Sequence, residues 1–198
     1  MAIYIDDRWS GPHGIGRVGE EMQARLGLPP ARLPLHPTHH LDFITSSIWM
    51  LMHPKDGLVS PGYTAPVFGL DRYAFVVHDL NHLDLPQDSS FLKRLYYKLV
   101  IRRACRRAAV VMTGSQFGAE RISDFAGIPI SRVKIVSNGV SEVFTNDVTA
   151  HPDYQNYYLV VGNRRPHKNE VRVVEAFAQL ADTAPVHGGI WSSTTALR

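Results

Sequence analysis

Short apolar runs alternate along this chain with stretches in which apolar residues recur every three or four positions. Residues 2–5, 58–59, 74–77, 110–112, 133–136 and 158–161 read as strands, mostly without alternation of period two. Residues 15–26 read as a helix with Ile15, Val18, Met22 and Leu26 on one face, and residues 90–108, 115–125 and 168–181 read as further helices. Unbroken apolar strands separated by helices are the mark of a parallel sheet covered on both faces, so the predicted class is α/β with a Rossmann-like sheet. Ser115 suits a helix N-cap, and Gly127 followed by Pro129 suits a stop. Asn138-Gly139 is a turn signal directly after a strand.

Residues 145–156 are polar, hold Pro152 and read as a linker region. The predicted organisation is a Rossmann-like domain over 1–148, a linker at 149–156, and the start of a second such domain over 157–198. After the linker the pattern gives one strand, one helix and a tail, APVHGGIWSSTTALR, with little periodicity. One strand and one helix cannot bury both faces of a sheet, so the second domain is expected to be begun and not finished.

Composition narrows the class without naming a function. With 198 residues, 44% hydrophobic and 20% charged, the chain is long enough for a real core. A net charge of +3 and a pI near 9.1 fall short of a dedicated nucleic-acid binder. The single cysteine, Cys105, excludes an intrachain disulfide and fits a reducing compartment. Ala2-Ile3-Tyr4-Ile5 runs straight into Asp6-Asp7, unlike a signal peptide, and the charge-free stretch 43–52 is about half a bilayer span. The expectation is a cytoplasmic protein, at most attached to the inner face of a membrane.

Candidate chemistry gathers at the ends of the apolar runs. In YYLVVGNRRPHKN a strand stops at Gly162, and Arg164, Arg165, His167 and Lys168 follow before a helix begins. Cations and free backbone N–H groups at such an edge suit phosphates, although a solvated basic turn has the same composition. Gly14, Gly16 and Gly19 spell GxGxxG. As a dinucleotide fingerprint it fails twice: residues 6–13 separate it from the strand, and no acid stands about 20 positions on. It reads as a phosphate or substrate loop, or as a plain turn. His78-Asp79 closes another strand, which makes His78 a candidate to orient a substrate, a metal ligand with His82 and Asp84, or a structural strand end. No GxSxG elbow, CxxC or DxD pair is present, which argues against a serine hydrolase, a zinc module and an aspartate-metal nucleotide-sugar site.

Residues 93–107 carry Lys93, Arg94, Lys98, Arg102, Arg103, Arg106 and Arg107 and no acid. Tyr97, Val100, Ile101, Ala104 and Ala108 share one helical face, and Leu92, Leu95 and Leu99 fall among the cations opposite. Leucines beside cations suit anionic lipid headgroups or a lipid-diphosphate acceptor, and equally a solvated face with the leucines tucked under a loop. A nucleic-acid partner is not expected, because no aromatic stacking platform accompanies the charge. Cys105 lies on the apolar side and reads as packing.

Taken in order, GIGRVGEEM, FVVHDLNHLD, VVMTGSQFGAERI, KIVSNGV and YYLVVGNRRPHKN resemble the glycosyltransferase family 4 proteins of GT-B fold, over about residues 1 to 180. The resemblance implies two Rossmann-like domains facing across a cleft, the first taking the acceptor and the second the nucleotide-sugar, with retention at the anomeric carbon, no metal and no other cofactor. It implies that Gly14 and Gly16 approach the donor diphosphate, that His78 contacts the transferred sugar with Asp79 in support, and that Ser115 and Gly139 line the cleft. Lys168, helped by Arg164, would neutralise the diphosphate. The PHKN form resembles members that use GDP-mannose, which makes the expected reaction mannosyl transfer to a glycan or lipid-linked glycan. Two features depart from the family. Asn163 stands where Arg is common, leaving open which arginine reaches the phosphate, and no E-x7-E follows Lys168. A truncation, a frameshift or a deliberately shortened chain would produce that ending, and the chain by itself is expected to have little transferase activity. The alternatives are a non-catalytic Rossmann-like domain at anionic membranes and a fragment of a dinucleotide-binding oxidoreductase.

Overall fold

Five of the apolar runs pair side by side in one direction, in the spatial order β1 (Ile3–Ile5), β2 (Gly57–Ser60), β3 (Tyr73–Val76), β4 (Val110–Thr113) and β5 (Val133–Ile135). Every pairing is parallel, with Tyr4 opposite Leu58, Val59 opposite Ala74, Phe75 opposite Val111 and Met112 opposite Lys134. The molecule is thus α/β with a Rossmann-like parallel sheet. The structure, a computed structural model, describes the chain except at positions 12, 40, 85–88, 141, 143, 146, 148–156, 163–167, 182–186 and 193–198, and at 157–159, 161, 181 and 187–192 the backbone alone. The predicted linker and Arg164 lie outside the described residues. The chain divides into two units, Met1–Gly139 and Val140–Arg198.

On the free side of β1 the chain returns once. Ile5 N–H donates to Pro29 O at 3.0 Å and Ala31 N–H to Ile5 O at 2.8 Å, forming a parallel bridge between Ile5 and Pro30. The order across the sheet is therefore 29–31, β1, β2, β3, β4, β5. From β1 the chain moves one way through helix α1 (Gly14–Leu26), then crosses back through helix α2 (Asp42–Met52) to β2. The winding reverses between β1 and β2, and open α/β sheets bind ligands outside the strand ends at such a reversal.

The helix between β3 and β4 runs from α4 (Phe91–Tyr96) through a π-helical stretch at Tyr97–Ile101 into α5 (Arg102–Arg107). Ser90 caps its start by accepting from Lys93 N–H at 3.3 Å. Ahead of it stands a single turn, α3 (Asn81–Asp84). After β4 comes α6 (Gln116–Ala126), capped by Ser115 and closed by Gly127, whose φ of 65° is a left-handed conformation that glycine takes without strain. The helix α2 is absent from the sequence pattern, where residues 43–52 stand out only for lacking charge. Its apolar residues point both ways: Trp49 and Met50 are buried, while Ile44, Ile48 and Leu51 are exposed.

The core lies against one face of the sheet, where Leu58, Tyr73, Phe75, Val111 and Val133 meet Trp49, Met50, Tyr97, Ile101, Ala104, Cys105, Ala119 and Ile122. Full burial of each large side chain contributes about 1.5–3 kcal/mol. Along β4 the residues alternate half-buried and buried although the sequence is uniformly apolar.

In the second unit, β6 (Tyr157–Gly162) pairs in parallel with β7 (His187–Ser192), with α7 (Glu170–Ala181) between them in sequence. The pattern gave β6 and the helix but not β7. The run HGGIWS carries two glycines and no alternation, so its strand character comes from pairing with β6 and not from local preference.

Candidate functional site

The site grows from the C-terminal ends of β2, β3 and β4. Val77 still donates to Met112 O at 2.8 Å, so His78 is the first residue off the sheet. Its Nε2 lies 2.7 Å from the carbonyl oxygen of Pro61, at the end of β2. A carbonyl only accepts, so Nε2 carries the proton and, in the neutral ring, Nδ1 presents its lone pair. Asp79 takes Asn81 N–H at 3.1 Å and thereby starts α3. Ser115 Oγ accepts from Gly118 N–H at 3.0 Å and organises the N-terminus of α6. Arg121 on α6 reaches across to the Asp84 carboxylate on α3.

These groups surround a cavity of about 70 Å³ lined by His78, Asp79, Asn81, Thr113, Ser115 and Arg121, among others. Thr113 Oγ1 is buried there without a hydrogen-bond partner. Nearby rings belong to Trp9, Tyr63, His82 and Tyr97, with Trp9 and Tyr63 at 5.4 Å and Tyr63 and His82 at 6.0 Å. Burial, helped by the Asp79 charge, pushes the Tyr63 phenol up. A broader, shallower depression of about 430 Å³ lies beside it, lined by Leu83, Arg94, Lys98, Arg121, Asp124 and Phe125. The smaller cavity holds the strand-end chemistry, and the larger one is an open cationic hollow between helices.

The glycine loop is built into the same corner. The first glycine, Gly14, begins α1, and nothing lies within 4 Å of where its side chain would be. Gly16 is different: a Cβ there would stand 2.2 Å from Gly11 O, and its N–H already donates to His13 Nδ1 at 2.8 Å. Gly19 touches Pro61, the residue that anchors His78, with 3.2 Å between an added Cβ and the ring. A Cβ on Gly62 would fall 2.3 Å from the Trp9 ring, whose Nε1–H donates to Ser60 Oγ at 3.2 Å. The glycines let α1, the Trp9 turn and the Pro61 turn close on one another at the reversal of the sheet.

Arg8 fastens that corner from behind. Its guanidinium donates to both Asp6 oxygens, at 2.7 and 2.8 Å, to Asp42 Oδ1 at 2.5 Å and to the Leu35 carbonyl. Burial alone would lower its pKa, but the bonds to Asp6 and Asp42 outweigh that and hold it firmly charged. Burial pushes the Asp42 carboxyl up, and the Arg8 bond pulls it only part of the way back.

Of the residues singled out in the sequence, His78, Asp79 and Ser115 line one cavity, and Gly14 and Gly16 belong to the turn joined to it through Pro61. Gly139 ends the first unit, exposed, with nothing within 4 Å of an added side chain. Lys168 is exposed in the second unit, just before α7; Asn169 beside it takes a φ of 54°, which asparagine tolerates. Sequence reasoning missed Arg121, Tyr63 and Thr113. Only the nearness of Thr113 to Ser115, two positions on, offered a signal.

The cations of residues 93–107 divide. Arg103 is spent on the Val67 carbonyl and Arg106 on Ala126 O at 2.6 Å, whereas Arg94, Lys98 and Arg102 are exposed. Leu92, Leu95 and Leu99 are exposed as well, so no described loop covers them. Among the described residues no helix is long and apolar enough to cross a membrane, and no three His, Cys, Asp or Glu side chains stand grouped to hold a metal.

No protein-family model matches the chain. It is similar to the O-antigen chain mannosyltransferase RfbU of Salmonella typhimurium, at 25% identity over 107 residues. The match covers 54% of this chain and 28% of that relative, so the chain corresponds to well under two thirds of the protein it resembles.

Proposed function

We propose that this chain is the acceptor-side part of a retaining glycosyltransferase of GT-B type, transferring mannose from GDP-mannose to a glycan or lipid-linked glycan in the cytoplasm. The observation that carries the reading is His78: it leaves β3, one strand from the reversal of the sheet, with its Nε2–H tied to Pro61 at the end of β2 and its Nδ1 left as the acceptor for a sugar hydroxyl. The similarity to a mannosyltransferase supports the sugar.

In this reading Asp79 fixes the turn that presents His78. Gly14 offers open backbone at the start of α1 to the donor diphosphate, and Gly16 shapes the turn so that the approach is close. Ser115 and Gly139 line the cleft. As the bond from the anomeric carbon to the diphosphate breaks, negative charge builds on the leaving group; Lys168 and Arg164 neutralise it, a task assigned here to side chains and not to a metal. Removing such a cation typically raises a barrier by about 3–4 kcal/mol.

The test is ligand-observed NMR on the purified chain with GDP-mannose and with a lipid-linked oligosaccharide, beside a radiolabelled mannose-transfer assay. Saturation transfer to sugar protons is expected from the native chain and not from His78→Ala. A folded native chain that binds neither compound would overturn the reading.

A further inference from the structure

The buried face of β4 ends in a polar group. Val111 and Thr113 lie two apart on the strand, share that face and are both buried, Thr113 at 0% exposed. Valine has the shape of threonine, so packing alone does not call for the hydroxyl. Thr113 Oγ1 nevertheless meets no hydrogen-bond partner. Buried hydroxyls are nearly always bonded, because an unmet one forfeits the bonds it had in water.

The hydroxyl faces the first turn of α6. A Cβ on Gly118 would stand 2.5 Å from Thr113 Oγ1 and 3.3 Å from Ser115 Oγ, so a side chain at 118 would fill the space between them. Ser115 Oγ takes Gly118 N–H, and Ser115 O takes Ala119 N–H. Gln116 and Phe117 open the helix, so their N–H groups have no carbonyl one turn back to meet. The dipole of this 11-residue helix adds partial positive charge at the same end. Arg121, one turn beyond Phe117, lines the cavity with Thr113 and Ser115.

Across the cavity the chemistry changes sign. His78 Nδ1 is left as an acceptor in the neutral ring. The Asp79 carboxylate takes Asn81 N–H, and the Asp84 carboxylate takes Arg121. The wall from β4 and α6 therefore donates, and the wall from β3 and α3 accepts. An anion belongs on the first wall and hydroxyls on the second. The volume, about 70 Å³, exceeds the roughly 30 Å³ share of one water and suits a compact tetrahedral group.

We propose that the β4–α6 turn is a phosphate-binding subsite for a sugar phosphate. The phosphoryl oxygens accept from Thr113 Oγ1–H, from the first-turn N–H groups of α6 and from the Arg121 guanidinium, while sugar hydroxyls meet His78 and Asp79. The subsite is distinct from the donor diphosphate, which the proposed function gives to Gly14 and Lys168. The sugar half of the assignment rests on that proposed function and makes the acceptor a phosphorylated one. The phosphate half rests on Thr113 and α6 alone.

The experiment is a titration of the nitrogen-15-labelled 198-residue chain with inorganic phosphate, mannose 6-phosphate and mannose, followed through its amide signals. Both phosphates are expected to shift Phe117 and Gly118, with mannose 6-phosphate bound about tenfold more tightly than inorganic phosphate and mannose bound weakest. Thr113→Val should lower phosphate affinity about tenfold or more, while the melting temperature holds or rises because an unmet hydroxyl is gone. Arg121→Gln should lower the affinity by a similar factor. Lys98→Gln, in the neighbouring cationic hollow, should bind phosphate like the native chain. Shifts confined to that hollow, or a Thr113→Val protein that binds phosphate unchanged, would overturn the subsite. Equal affinity for phosphate and mannose 6-phosphate would overturn the sugar half and name free phosphate as the ligand. A chain that binds mannose 6-phosphate at Phe117 and Gly118, but neither GDP-mannose nor a lipid-linked oligosaccharide, would support the subsite and count against the transferase reading alone.

Discussion

The His78 imidazole and the Pro61 carbonyl, 2.7 Å apart, join the ends of two neighbouring strands. The contact fixes a tautomer: Nε2 holds the proton and, in the neutral ring, Nδ1 is left as the acceptor. Nitrogen-15 spectra of the labelled imidazole are expected to show Nε2–H in the neutral protein. His78→Ala should cost about 1 kcal/mol of stability, the worth of one net hydrogen bond, and on the proposed function it should also remove the saturation transfer to sugar protons. A spectrum with the proton on Nδ1 would contradict the geometry.

Gly14 and Gly16 separate stability from ligand approach. An alanine at Gly16 would drive its Cβ into Gly11 O, a backbone atom that cannot swing aside, and should destabilise by roughly 1–3 kcal/mol. At Gly14 the space is open, and Gly14→Ala should stabilise α1 by about 0.5–1 kcal/mol. If the start of α1 receives a diphosphate, Gly14→Ala will raise the denaturation midpoint and still weaken GDP-mannose binding. The two measurements moving in opposite directions is the expected signature.

The guanidinium of Arg8 is the charge that makes two buried carboxylates tolerable. Asp6 and Asp42 have side chains 2% and 3% exposed, and Arg8 is 9% exposed. Arg8→Met leaves both acids uncompensated and should cost about 3–5 kcal/mol. Arg8→Lys keeps the charge but cannot hold Asp6 with two parallel bonds, so it should recover only part of that loss. Urea titrations of the three proteins decide the matter, and a lysine variant as stable as the native chain would show that charge alone suffices.

How far the sequence foretold this arrangement depended on where each signal resides. The strands at Tyr73–Val76 and Val110–Thr113 were legible because buried parallel strands are apolar in both directions. Ser115 and Gly127 were legible because caps act locally. The helix α2 was not, since Ile44, Ile48 and Leu51 face outward while Trp49 and Met50 face inward, which erases the period. His78 announced itself as a polar residue closing an apolar run. Arg121 and Tyr63 did not, because only the fold carries Arg121 to Asp84 and Tyr63 to His82.

Cys105 offers a test of the core through pH. Burial pushes its thiol up to about 12, and burial likewise raises the Tyr73 and Tyr97 phenols above their ordinary range. An acid whose folded value lies above its unfolded one contributes stability that is complete below the unfolded value, here about 9. That contribution is lost as pH rises through the folded value, because the unfolded chain ionises first and gains from doing so. Stability measured by urea titration should therefore decline steadily between about pH 9 and 12, and Cys105→Ala should flatten part of that slope. At about pH 8 the native thiol should resist an aromatic disulfide reagent that labels it at once in urea, since both ionisation and access are withheld. Rapid labelling of the native protein would place Cys105 outside the core and undo the packing of the sheet against Ile101 and Ala104.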